Sequence, residues 1–172
     1  MRALVIDGYI DEPGSLGVPP FIHPGVRAAY GAAKDAGCEV EYITIDAIRK
    51  GAKLPRAELS LLMAGSAVPG KYIRAMPASL REVVDLASRL PGIKVLGGPA
   101  ALEARSAPSF DVLAKRDAAS TLYDLIAGLY SGERWRTEDE WDRWLMQGAE
   151  CVLHHPHHPQ PLLSHAPSIR GF

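Results

Sequence analysis

Short apolar runs recur along the chain, separated by longer segments whose apolar residues fall at helical spacing. Residues 3–7 (Ala-Leu-Val-Ile-Asp), 39–45, 58–64, 93–96 and 110–114 each read as a strand. The first is apolar on both faces, which suits a strand covered from above and below rather than one half in water. Between the strands, Val26, Ala29, Tyr30 and Ala33 define a helix over residues 24–36 with Gly37 at its end. Leu80, Val83, Val84, Ala87 and Leu90 define another, closed by Pro91-Gly92, and Leu122, Leu125, Ile126 and Leu129 a third. Asp46 is placed to cap a short helix running to about Gly51. Strands alternating with amphipathic helices predict an α/β fold: a doubly wound, parallel five-stranded sheet, Rossmann/flavodoxin-like. For the strand order 2-1-3-4-5, ligands are expected between the loops that follow strands one and three. Those loops, residues 8–20 and 65–77, far exceed the ~2–6 residues usual for such connections.

The chain has 172 residues, enough for one domain with a short extension. We place the doubly wound domain at residues 1–132 and a C-terminal helix with a Pro/His-rich linker at 133–172. A net charge of −1, from 19 basic and 20 acidic residues, gives no sign of a nucleic-acid partner. Cys38 and Cys151 are too few for a disulfide framework and form no CxxC pair. No apolar stretch approaches the ~20 residues of a membrane helix, so the expectation is a cytoplasmic protein without a membrane partner.

Several motifs have a dull reading beside the functional one. Gly65-Ser66-Ala67-Val68-Pro69-Gly70-Lys71 matches seven positions of a phosphate-binding loop, but the eighth is Tyr72 rather than Ser or Thr, and no helix pattern follows directly. It reads as a decoy; its functional form would be a small nucleotide-binding protein. Five of the six histidines fall at 154, 155, 157, 158 and 165. Prolines at 156, 159, 161 and 167 prevent a helix that would align those rings, so incidental metal adhesion or a docking strap is the reading, and no metal site is assigned. The histidines are then expected to be solvent-exposed. Thr137 with Glu140 makes a capping box ahead of Trp141, Trp144 and Leu145, and residues 149–153 read as a short strand. The tryptophan stripe supports a second hypothesis: a non-enzymatic interaction module, without a cofactor, dimerising or docking through that helix. Cys151 has no triad around it, and no catalytic residue is assigned.

The run Leu4-Val5-Ile6-Asp7-Gly8-Tyr9, then Asp11-Glu12-Pro13 and Leu16-Gly17-Val18-Pro19-Pro20, carries a resemblance, as do Val95-Leu96-Gly97-Gly98-Pro99, His155-Pro156, Pro161-Leu162-Leu163 and Ile169-Arg170-Gly171. Together they resemble the N-terminal cobalamin (B12)-binding-like domain of archaeal radical S-adenosylmethionine (SAM) proteins. The resemblance implies an accessory domain, not catalytic by itself, that works with a radical SAM catalytic domain in cis or trans. That domain would carry the 4Fe-4S cluster and SAM on a CxxxCxxC motif absent from this sequence, and homo-oligomers are compatible with it. It implies cobalamin binding at Asp7, Gly8 and Tyr9, at Gly65 and Ser66, and at Gly97, Gly98 and Pro99. Two departures stand out. Asp7-Gly8-Tyr9-Ile10-Asp11 replaces the DxHxxG that supplies a histidine to cobalt, and Arg170-Gly171-Phe172 replaces Arg-Gly-Cys.

Overall fold

A computed structural model describes residues 1–9, 21–65, 76–104, 107–129 and 134–156. Five strands, β1 (Arg2–Asp7), β2 (Glu39–Thr44), β3 (Leu59–Met63), β4 (Ile93–Gly97) and β5 (Val112–Leu113), form one sheet in the order β2-β1-β3-β4-β5. Every pairing is parallel, with Ile6 opposite both Ile43 and Leu62. The doubly wound expectation therefore holds, and the observed order is the one for which the crevice falls between the loops after β1 and β3. β1 alternates strictly: Ala3 and Val5 enter the core on one face, Leu4 and Ile6 the core on the other. All four are essentially inaccessible to water, as a central strand covered on both faces requires.

One face is covered by α1 (Pro24–Asp35) and α5 (Ala118–Ala127), the other by α3 (Leu80–Ala87) and α4 (Pro99–Glu103). A short α2 (Ile45–Arg49) follows β2, capped by the Thr44 hydroxyl rather than by Asp46. Ser79 and Asp117 cap α3 and α5 by accepting the amides of Glu82 and Ser120, each satisfying a first-turn donor. The fifth strand is shorter than the sequence pattern suggests; just ahead of it Asp111 donates its amide to the Lys94 carbonyl and accepts the Lys94 amide on its carboxylate.

A third layer lies outside α1. Helix α6 (Glu138–Gln147) begins with the expected capping box, Thr137 and Glu140 bonding reciprocally. It continues into a 3-10 helix over Gly148–His154, where the sequence suggested a strand. Trp144 is fully buried among residues of the same core as the sheet, while Trp141 and Leu145, the rest of the expected stripe, are half-buried against it. The Trp144 indole N–H donates to Asp35, which also accepts from Arg143 and Gln147. The backbones of α1 and the α6 end approach so closely that a Cβ on Gly31 would lie 1.9 Å from the Trp144 carbonyl oxygen. Arg134 bridges Asp124 of α5 and Glu140 of α6, pinning the two helices together. His155 is likewise buried, its ring stacked on Tyr42, so the expectation that the clustered histidines all face solvent fails at this position. The remaining tail, residues 157–172, lies outside the described residues.

Candidate functional site

Every strand of a parallel sheet ends on the same side, so the loops after β1, β3, β4 and β5 converge there whatever their distance in sequence. Between β1 and β3 the described backbone is tied together. The Gly8 amide donates to the Met63 carbonyl at 2.8 Å, and Ala78 returns a bond to the Gly8 carbonyl at 2.8 Å. Gly8 has no room for a side chain, since a Cβ would meet the Met63 carbonyl oxygen at 2.4 Å.

Open space lies one step away, on the α1/α5 face. A cleft of about 230 Å³ is bounded by Tyr9, by His23 and Gly25 at the start of α1, by Gly98 and Pro99 before α4, and by the turn from Ala114 to Ala119 that leads into α5. Met63 forms part of its floor and Leu102 part of its rim. At that size it admits a group of a few heavy atoms, below the ~300–1,000 Å³ that drug-sized ligands occupy.

Tyr9 and Asp117 are the most buried polar residues on the wall. The Tyr9 ring is buried against His23, with centroids 4.6 Å apart, and a Cβ on Gly98 would stand 2.8 Å from its hydroxyl. Burial, with a smaller contribution from the nearby Asp7 charge, pushes its pKa up to about 12, so the phenol remains protonated. His23 caps α1 through its ring: Nδ1 accepts the Gly25 amide at 3.1 Å. Burial also lowers the His23 pKa, which favours a neutral ring. A neutral imidazole whose Nδ1 is an acceptor carries its proton on Nε2. Lys115 and Arg116 line the opposite wall, and both are exposed. Asp117 is the carboxylate among the lining residues, and it is already engaged by the Ser120 amide and by Arg136.

The residues nominated from sequence divide by this geometry. Tyr9, Gly98 and Pro99 line the cleft. Asp7 and Gly8 are buried in the body of the fold; Asp7 accepts the Tyr42 hydroxyl at 2.8 Å and the Tyr9 amide at 2.9 Å. Gly97 is packed beneath the cleft, where a Cβ would lie 2.6 Å from the Met63 sulfur. Gly65, at φ +92°, turns the chain so tightly against α4 that a Cβ would strike the Ala100 amide nitrogen at 2.3 Å. Ser66 and the rest of the phosphate-loop-like run through Lys71 lie outside the described residues. Cys151 is fully buried, and burial holds its thiol protonated with a pKa pushed up to about 12, which suits packing rather than nucleophilic attack.

Sequence reasoning missed His23, Lys115 and Arg116. The signal existed: His23-Pro24-Gly25 opens a helix after the first strand, and Lys115-Arg116-Asp117 opens one after the fifth. Applying the strand-end rule to all five strands, rather than to the switch point alone, would have found them.

His23 also bears on the implied cofactor. A metal-ligating histidine normally donates from its second nitrogen, leaving a lone pair for the metal. His23 does the reverse, so a cobalt ion ligated by this histidine does not fit. Among the described residues there is no group of three or more His, Cys, Asp or Glu side chains able to hold a metal ion. Among the same residues no helix is long and apolar enough to cross a membrane.

Two archaeal proteins are similar to this chain. An uncharacterized protein of Methanocaldococcus jannaschii is 36% identical across 99% of this chain, and an uncharacterized protein of Archaeoglobus fulgidus is 41% identical across 60% of it. The chain spans about a third of the first (35%) and a fifth of the second (20%). No family profile and no solved structure matches the chain.

Proposed function

We propose that this chain is a cobalamin-binding-like accessory domain of a radical SAM enzyme and contributes binding rather than catalysis. One observation carries the reading. A doubly wound sheet ordered 2-1-3-4-5 opens a cleft at its strand ends, walled by the Gly98-Pro99 turn and Tyr9, which the resemblance nominates. The length of the M. jannaschii relative supports it, since 65% of that protein lies outside the matched part, leaving ample chain for a catalytic domain. The described residues favour a histidine-free form of cofactor binding. The cleft alone is smaller than a corrin, and Tyr9, Gly98 and Pro99 on its wall are the residues that would hold the group. When bound, it would supply methyl-transfer chemistry; this chain's part is to hold and orient it.

Hydroxocobalamin titrated into the purified chain tests the cofactor. The reading expects a shifted corrin absorption band and co-elution on gel filtration, while unchanged spectra and separate elution remove cobalamin from the proposal. The radical SAM half is tested on the M. jannaschii protein. After anaerobic reconstitution with iron and sulfide, and with dithionite as electron donor, it should cleave SAM to 5′-deoxyadenosine and methionine. A protein that takes up no cluster on reconstitution, or that carries one and leaves SAM uncleaved, overturns that half.

The alternative of docking through the tryptophan stripe loses Trp144 to this chain's own core and keeps only the half-buried Trp141 and Leu145.

A further inference from the structure

The cleft has a chemical bias of its own, and that bias does not depend on the corrinoid reading. Three side chains on its wall bring hydrogen-bond donors, namely the Tyr9 hydroxyl, the His23 Nε2–H and the Lys115 ammonium. Among the described residues none of these donors has a protein acceptor. Tyr9 is only 6% exposed as a residue and lines the cleft, so its hydroxyl is positioned to donate to a group bound there. Acceptors are scarce by comparison, since Asp117 is occupied by the Ser120 amide and Arg136. Arg116 adds a second positive charge to the wall. A neutral or cationic ligand would find few acceptors here, whereas an oxyanion would find donors on opposite sides.

We infer that this cleft binds a small oxyanion, with the Tyr9 hydroxyl and His23 Nε2–H donating from one wall and Lys115 supplying charge from the other. The ligand class is a compact molecule carrying a phosphate or carboxylate group. A lysine ammonium meets a phosphate as a point charge, and hydrogen bonds to a charged acceptor are roughly twice as strong as neutral ones. The depressed His23 pKa suits this role, because the ring donates without needing to be charged.

The test is an amide NMR titration of the full chain with inorganic phosphate and, separately, acetate, at constant ionic strength. Saturable shifts are expected at Gly25, Gly98, Ala118 and Ala119 for at least one of the two anions, and which anion saturates assigns the ligand group. Lys115→Ala should weaken that binding about tenfold, a loss of about 1.4 kcal/mol. Tyr9→Phe, which keeps the ring, should weaken it measurably, and Lys53→Ala, an exposed lysine outside the lining, should not. The inference is overturned if neither anion gives saturable shifts, if the shifts map elsewhere, or if Lys115→Ala binds as tightly as the parent. Because neither probe contains a corrin, these outcomes are independent of the hydroxocobalamin result.

Discussion

The two faces of the sheet are covered in different ways. On one side α3 has a single buried stripe, Val83, Leu86 and Ala87, and shows water the rest of its surface. On the other side α1 is buried all round from Ala28 to Ala33, because the sheet lies on one flank and α6 with the following 3-10 helix on the other. Composition follows. α1 is built of alanine and glycine where it meets neighbours on both sides, and its one large core residue there, Tyr30, reaches the Val40 carbonyl at 3.3 Å. A helix with one dry face can be read from its periodicity, whereas a helix dry on both faces loses that periodicity and announces itself by small residues instead.

The largest way to break this contrast is Trp144→Ala. It should cost about 4 kcal/mol in chemical denaturation, since a fully buried tryptophan leaves a cavity that α1 cannot close by relaxing. Gly31→Ala should come next, at about 3 kcal/mol. Its methyl group meets backbone on both sides, the Trp144 carbonyl oxygen at 1.9 Å and the Gly148 nitrogen at 2.9 Å, so the two helices must separate. Thr137→Ala, which removes half of the capping box, should cost about 1 kcal/mol if α6 unfolds together with the sheet. Asp85→Ala on the wet side of α3 should change stability by less than about 0.5 kcal/mol. Equal effects for Gly31→Ala and Asp85→Ala would erase the distinction drawn between the helices.

The pH dependence probes the same junction. Burial pushes the Asp35 pKa up, but hydrogen bonds from Trp144, Gln147 and Arg143 outweigh it and hold the carboxyl below its ordinary value. A carboxylate whose folded pKa is depressed stabilises the fold above its unfolded pKa of about 4, and that contribution disappears as pH falls through the folded value. Asp35→Asn should therefore flatten the acid side of a stability-versus-pH curve and leave the slope near neutrality unchanged.

Much of the fold was legible in sequence because β1, β3 and β4 are short apolar runs with glycine-rich ends, and a buried parallel strand has no other signature. The order of strands was legible only as one of the arrangements a doubly wound sheet allows, since helical and strand periodicity do not say which strand lies beside which. The partner of the tryptophan helix was not legible: spacing identifies a dry face, but not the surface that dries it. His155 was misplaced for the same reason, since a proline-flanked histidine reads as solvated until Tyr42 is seen beneath it. The cleft was half legible. Tyr9, Gly98 and Pro99 sit beside glycine-rich strand ends, which draw the eye, while His23 and Lys115 lie far apart in sequence and meet only through the crossing of the chain from β1 to β5.

The outer cover of α1 also has a consequence in time. Asp35 and its indole donor Trp144 are 109 residues apart. At a translation rate of about 5–20 residues per second, α1 leaves the ribosome roughly 5–20 s before the helix that shields it. Through that interval its outer flank of alanine and tyrosine has no cover of its own chain. A nascent or prematurely terminated product ending before residue 138 would keep that flank bare.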